Sequence, residues 1–169
     1  MFRTIAALLA AAALAGCGTR PYQPQEYPLR DGLVPKLAVA GEVQVGNRQT
    51  STAEAIVYSY GGTQLASNYK DITQLLVDQT KKELVKNGTV SPGKAKDIGL
   101  EVTYLQSRYI AFFWKSEIRF TATLGASGKK IEKTATHGSG SVIQDLNGCI
   151  AEGVIKLLND PDVVTYLAE

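Results

Sequence analysis

From Lys36 to Val45 the chain reads KLAVAGEVQV, and Leu37, Val39, Val43 and Val45 fall on one side of an extended strand. Gly46–Ala66 is richer in Gly, Ser, Thr and Gln; within it AIVYSY predicts a short strand ended by Gly61-Gly62. SNYKDITQLLVDQTKKELVKNG then changes the period. Ile72, Leu75, Leu76 and Leu84 recur near helical spacing, with Thr80 on the same side. Ser67 or Asn68 can cap this helix, Asp71 sits early and Lys81, Lys82 and Lys86 late, as the helix dipole favours. Asn87-Gly88 predicts a left-handed stop.

Alternation returns at DIGLEVTYLQS, with Ile98, Leu100, Val102 and Tyr104 on one face. WKSEIRFTATL follows, with Trp114, Ile118, Phe120, Ala122 and Leu124 opposite Lys115, Glu117, Arg119, Thr121 and Thr123. GASG predicts a turn, and KKIEKTATH returns with Lys130, Glu132, Thr134 and Thr136 outward. SVIQDLNGCIAEGVIKLLND predicts a second helix whose apolar stripe is Leu146, Cys149, Ile150, Val154, Leu157 and Leu158. Gly148 and Gly153 weaken it by about 1 kcal/mol each relative to Ala, but an inward glycine lets a helix lie close to a sheet. After Pro161, DVVTYL predicts one or two helical turns. The expected fold is an α+β two-layer sandwich: a mostly antiparallel sheet with one wet face, and two amphipathic helices on the other.

RYIAFFWKSEI, residues 108–118, interrupts this regularity. Leu105 breaks the upstream phase, which predicts a bulge near Gln106–Arg108. Trp114 is in phase with the dry face and Phe113 with the wet one. Tyr109, Phe112 and Phe113 are therefore candidate partner-contact residues on a hairpin tip; the alternative is that the helices or Gly46–Ala66 fold over them.

At the N-terminus Arg3 precedes an apolar stretch, Ile5–Ala15, too short for the roughly 20 residues that span a bilayer. Charge, length and a small-residue ending fit a secretory signal over residues 1–16. The ending, Leu14-Ala15-Gly16-Cys17, resembles the bacterial lipobox, and that resemblance implies lipidation at Cys17. Each buried methylene contributes about 0.8 kcal/mol, so two or three acyl chains hold a protein to a membrane. Gly18 follows the cysteine; in lipoproteins of diderm bacteria an aspartate there favours inner-membrane retention, so the resemblance implies the outer membrane, facing the periplasm. Pro21, Pro24 and Pro28 keep Gly18–Leu33 extended, a reach of about 50 Å at about 3.1 Å per residue, which predicts a lipidated N-terminus and tether over residues 17–34. The folded domain is expected over residues 35–169.

Removing residues 1–16 from the 169 leaves 153, enough for one domain with a sizeable core. Removing Arg3 from 18 basic residues leaves 17 against 16 acidic ones, with no block of like charge, so no basic face for nucleic acid is expected. With Cys17 acylated, Cys149 has no disulfide partner; on the apolar stripe it reads as a small buried hydrophobe. One histidine and one unmodified cysteine assemble no metal cluster, and Gly61-Gly62 lacks the Lys-Ser/Thr of a phosphate loop, so no cofactor is expected. His137 is followed by GSGS. Ser139 or Ser141 beside it would suggest a serine hydrolase, but the spacing is not that of a nucleophile elbow. A strand-to-helix turn with Ser141 as cap is the plainer reading, and the chain is expected not to be an enzyme.

The lipobox, VGNRQ, ITQLLVDQTKKELVKNG, LEVTYLQ and GSGSVIQDLNGCIAEGVIKLL together resemble the YajG-like lipoproteins. Those are similar to the auxiliary lipoproteins of ABC-type envelope transport and to the N-terminal domain of TolB. The resemblance covers most of Pro35–Leu158. It implies a two-layer α+β domain, outer-membrane attachment and no catalytic residues. The expected role is an accessory lipoprotein docking another envelope protein through a sheet edge or the aromatic rim, with carriage of a lipid or small ligand as the alternative.

Overall fold

The structure, a computed structural model, describes residues 18–169; Cys17 and the apolar leader lie outside the described residues. In chain order the elements are β1 (Gly18–Pro21), β2 (Leu37–Ala40), β3 (Val43–Asn47), β4 (Glu54–Tyr60), β5 (Thr63–Asn68), α1 (Tyr69–Asn87), β6 (Gly88–Ser91), β7 (Lys96–Ile110), β8 (Phe113–Leu124), β9 (Lys129–Ser139), α2 (Val142–Leu158) and α3 (Pro161–Ala168). The fold is an α+β sandwich. One layer is a seven-stranded sheet in the order β1-β5-β4-β7-β8-β9, with β3 also on β7; β2 and β6 form a separate pair. The sheet is mixed. Its long ladders, β7 with β8 and β8 with β9, are antiparallel, while β1 on β5 and β3 on β7 are parallel.

The meander β7–β8–β9 carries the dry face. Ile98, Leu100, Val102, Ile118, Phe120, Ala122 and Leu124 are buried against α1 and α2. The expected bulge exists, but four residues or so earlier. Val102 pairs with Phe120 and Tyr104 with Arg119, so Thr103 is the extra residue. Past it the phase inverts: Leu105 and Ser107 point inward, and Tyr104 turns to the wet face under the Arg119 guanidinium, 4.7 Å from its ring centre. The bulge leaves Val102 N–H without a strand partner, and it donates to Thr73 Oγ1 of α1 at 3.0 Å.

The stretch KLAVAGEVQV is two strands, not one. Gly41 at φ +83° turns the chain between them, and Gly93 crosses it so closely that a Cβ there would stand 2.6 Å from the Ala40 carbonyl carbon. Buried Lys96 fastens the crossing by donating from Nζ to Ala40 O. Gly46–Ala66 holds a hairpin: Gly61 and Gly62, both at positive φ, join β4 to an unanticipated β5.

Helix α1 starts at Asn68, whose Oδ1 accepts from Asp71 N–H at 2.8 Å. The left-handed stop at Gly88 does not occur. Gly88 is extended (φ −83°) because β6 begins there at once, and its glycine is needed for space: a Cβ would lie 2.5 Å from Leu84 O. In α2 the predicted stripe is buried, and Gly153 lets the helix approach Leu76 and Phe120, each 3.3 Å from where its Cβ would be. Ser141 occupies the N-cap position but its hydroxyl makes no capping bond; the expected side-chain cap is absent. Asp160 caps α3 instead, accepting from Asp162 and Val163 N–H.

Residues 18–30 contain no helix or turn, as expected, and a turn follows at Asp31-Gly32, but the segment is no free tether. β1 lies alongside β5, and Tyr22, 3% exposed, donates its hydroxyl to Asn147 Oδ1 of α2 at 2.7 Å. Beyond it Gln79 Nε2 donates to Tyr27 O, Glu26 pairs with Lys82, Asp31 with Lys86, and Val34 is buried. The segment is a strap laid over both helices.

Candidate functional site

Three places concentrate the features that sequence singled out. The first is a groove of about 980 Å³ beside the crossing, walled mainly by Val39, Val43, Val45, Leu84, Val85 and Val90, with Lys81 and Glu42 also lining it. Val85 and Val90 are 86% and 72% exposed, unusual for aliphatic side chains flanking one depression. Val43, Gln44 and Val45 all border it although their side chains alternate between sheet faces, so the groove meets the edge of β3 itself. That edge is open: among the described residues β3 pairs only with β7. Lys96 N–H bonds Glu42 O and Arg48 N–H bonds Leu100 O, so the even-numbered residues face β7. In a parallel ladder the peptide groups of Val43 and Val45 then point the other way, along the free edge. α1 closes the far end, where Asn47 Nδ2 donates to Lys70 O. Sequence reasoning named neither Val85 nor Val90. Val85 sits off the helix stripe, and that was the only available signal.

The second place is the β7–β8 hairpin tip. Ile110 pairs with Phe113, and Ala111-Phe112 make the turn, closed by Phe112 N–H donating to Ile110 O. Ala111 is the one non-glycine residue at positive φ among those described, +54°. Phe112 is 91% exposed; Phe113 and Ile110 are also exposed. Tyr109 is not: it is half-buried, with its ring centre 5.0 Å from Tyr60 and 5.1 Å from Trp114. Of the three candidate contact residues, Phe112 and Phe113 present themselves to the outside and Tyr109 supports them from within an aromatic row. Tyr60, within Gly46–Ala66, folds over Tyr109, whereas Phe112 and Phe113 stay uncovered.

The third place is a buried polar cluster around Asp145 of α2. Its Oδ2 accepts from Ser107 Oγ at 2.6 Å and from Ser116 Oγ, while Oδ1 stands 3.5 Å from His137 Nδ1 without a hydrogen bond between them. His137 also meets Tyr27 of the strap edge-on at 5.5 Å. Of the serines expected near it, Ser139 Oγ donates to Gln144 Oε1 and accepts from Ser141 N–H, both at 3.4 Å, and neither the Ser139 nor the Ser141 hydroxyl bonds His137. The serines that do enter the cluster, Ser107 and Ser116, bond the acid and not the imidazole. Burial, reinforced by the Asp145 charge, pushes the Cys149 thiol well up, and its Sγ contacts Ala135 O. Burial likewise raises the Tyr22 phenol. Among the described residues no cluster of three His, Cys, Asp or Glu could hold a metal ion, and no helix is long and apolar enough to cross a membrane.

No family model matches the chain, and no curated protein sequence matches it. A solved structure described as "Crystal structure of uncharacterized protein" is similar to it, at 13% identity over 83% of this chain and 95% of that one, with a TM-score of 0.38.

Proposed function

We propose that the protein is a lipoprotein of the cell envelope, acylated at Cys17 and facing the periplasm from the outer membrane, with a non-catalytic accessory role. In this reading it docks an extended segment of another envelope protein beside β3. The supporting observation is the conjunction of an open strand edge with apolar walls. Backbone groups at Val43 and Val45 offer hydrogen bonds that any extended peptide can take up, and Val85 and Val90 offer pockets for its alternate side chains. Acylation adds effective concentration at the membrane.

The test uses photo-crosslinking residues placed at Gln44 and Val85, both on the groove, in the intact acylated protein in cells. The expected result is that both positions label one short segment of one envelope protein, at residues an odd number apart because Gln44 and Val85 face opposite sides of the sheet, and that Val90→Glu abolishes both. Labelling at unrelated sequences, or labelling indifferent to Val90→Glu, removes this docking mode. The same apolar lining favours a second reading, carriage of a lipid or small apolar ligand. Native mass spectrometry distinguishes them: a co-purified lipid lost in Val85→Glu supports the carrier.

A further inference from the structure

The hairpin tip lies at another part of the sheet from the β3 groove and points to a different contact. Gly18 pairs with Thr63, Thr63 pairs with Tyr60, and the Tyr60 ring rests on Tyr109 at the base of the tip. The residue following Cys17 therefore enters the fold at the same end of the sheet that carries Phe112. Tyr58 is level with Ser107, so Tyr60 and Gly18 are level with Tyr109, and the turn lies two residues further out. At about 3.3 Å per residue the tip projects roughly 7 Å past Gly18. From β1 to β8 the sheet crosses four strand spacings, about 19 Å at about 4.8 Å each. A plane through the attachment point of the chain thus meets the tip.

The chemistry at the tip agrees with that placement. Ile110, Phe112 and Phe113 form an apolar apex. Directly behind it Arg108 and Lys115 face each other across the two strands, exposed, and neither forms an ion pair among the described residues. The aromatic row Tyr60–Tyr109–Trp114 braces the base. An apolar apex backed by cations is what the boundary between acyl chains and anionic headgroups accepts, at depths of about 5–10 Å. The unfavourable backbone at Ala111 holds Phe112 outward, into whatever the tip meets.

We propose that the β7–β8 tip is a membrane-contact element: Ile110, Phe112 and Phe113 enter the headgroup–acyl boundary of an anionic bilayer, with Arg108 and Lys115 on its headgroups. With the chain attached at Cys17, the domain is held at two points and its orientation on the bilayer is set. The orientation rests on the acylation of Cys17 proposed above; the lipid contact of the tip does not.

Trp114 is the only tryptophan, so the reporter can be moved. The acylated full-length protein carrying Trp114→Phe with Phe112→Trp is reconstituted into phosphatidylethanolamine–phosphatidylglycerol vesicles, and Trp114→Phe with Val85→Trp serves as control. At position 112 the emission is expected to shift to the blue, iodide quenching to fall several-fold relative to detergent-free solution, and lipids brominated near the headgroup to quench. Position 85 should keep its iodide access, and Arg108→Glu with Lys115→Glu should restore access at 112. Equal iodide access at 112 with and without vesicles overturns the proposal. So does protection that appears only when an envelope protein fraction is added. Intact mass and vesicle flotation report acylation separately. If Cys17 carries no acyl chain, the anchoring reading fails, and the tip is measured with Cys17 coupled to a maleimide-headgroup lipid, read by the same criteria.

Discussion

A methyl group added to Gly148 should destabilise the protein only while His137 is present. In a helix interior Gly→Ala is worth about 1 kcal/mol of stabilisation. In α2 the new Cβ would stand 2.5–2.7 Å from three atoms of the His137 ring, whereas carbon contacts settle at about 3.5–4.0 Å. The ring must retreat by about 1 Å to restore contact distance. Its retreat is resisted by Tyr27 on the strap and by Asp145 on the helix. Overpacking of this kind costs about 1–3 kcal/mol, so Gly148→Ala alone should lose up to about 2 kcal/mol after the helix gain. In a His137→Ala background the clash is gone, and the same substitution should gain about 1 kcal/mol. The coupling between the two positions is then about 1–3 kcal/mol. Urea unfolding of the four proteins, followed by Trp114 fluorescence and far-UV circular dichroism with a shared m-value, measures it. A coupling below about 0.5 kcal/mol would show the two sites to be additive and refute the idea that His137 is clamped between strap and helix.

Other outcomes follow from single contacts. Thr73→Val keeps the shape but strands the bulged Val102 N–H in the core; the loss should be about 1–3 kcal/mol in the same urea assay. Asp160 has its carboxyl held below the usual range: burial pushes it up, but Lys133 and the N–H groups of Val163 and Asp162 outweigh that. A lowered folded value stabilises above the unfolded pKa of about 3.9 and fades as pH falls through the folded one. Asp160→Ala should therefore cost about 1 kcal/mol at pH 7, with the gap to wild type closing below about pH 4 in parallel titrations of stability. Cys149, buried and poor in thiolate, should resist iodoacetamide in the native protein and react once urea opens the core, as peptide mass mapping would record.

What could be read in advance was the part of the fold that repeats. β8 and β9 alternate over their full length because one face is wet and the other lies under helices, and α2 announces its stripe for the same reason. Elements that depend on distant pieces were invisible. β5 has Leu65 and Ala66 both buried, so it lacks a clean alternation. Asn87-Gly88 has the chemistry of a left-handed stop, but pairing with Leu37 pulls Gly88 straight. Leu105 signalled that the phase had slipped without saying that Thr103 was the residue squeezed out. The strap binds through polar side chains to residues 52 to 125 positions away, a relation without any local period. The groove is harder still, since it is defined by a strand that lacks a neighbour on one edge. The aromatic tip was visible as an anomaly; its place beside the chain entry came only from the register of four strands.

The hydrogen bond from Tyr22 to Asn147 joins the beginning of the described chain to nearly its end. A ribosome adding roughly 5–20 residues per second makes Asn147 about 6–25 s after Tyr22, because 125 positions separate them. Over that interval β5 and α1 are made, but the α2 part of the surface under residues 18–34 is still missing. Residues 18–34 can therefore be held first on one side, by β5 and α1, and are clasped on the other only when α2 is complete, so the start of the described chain is fastened in two steps set by the order in which the helices are made.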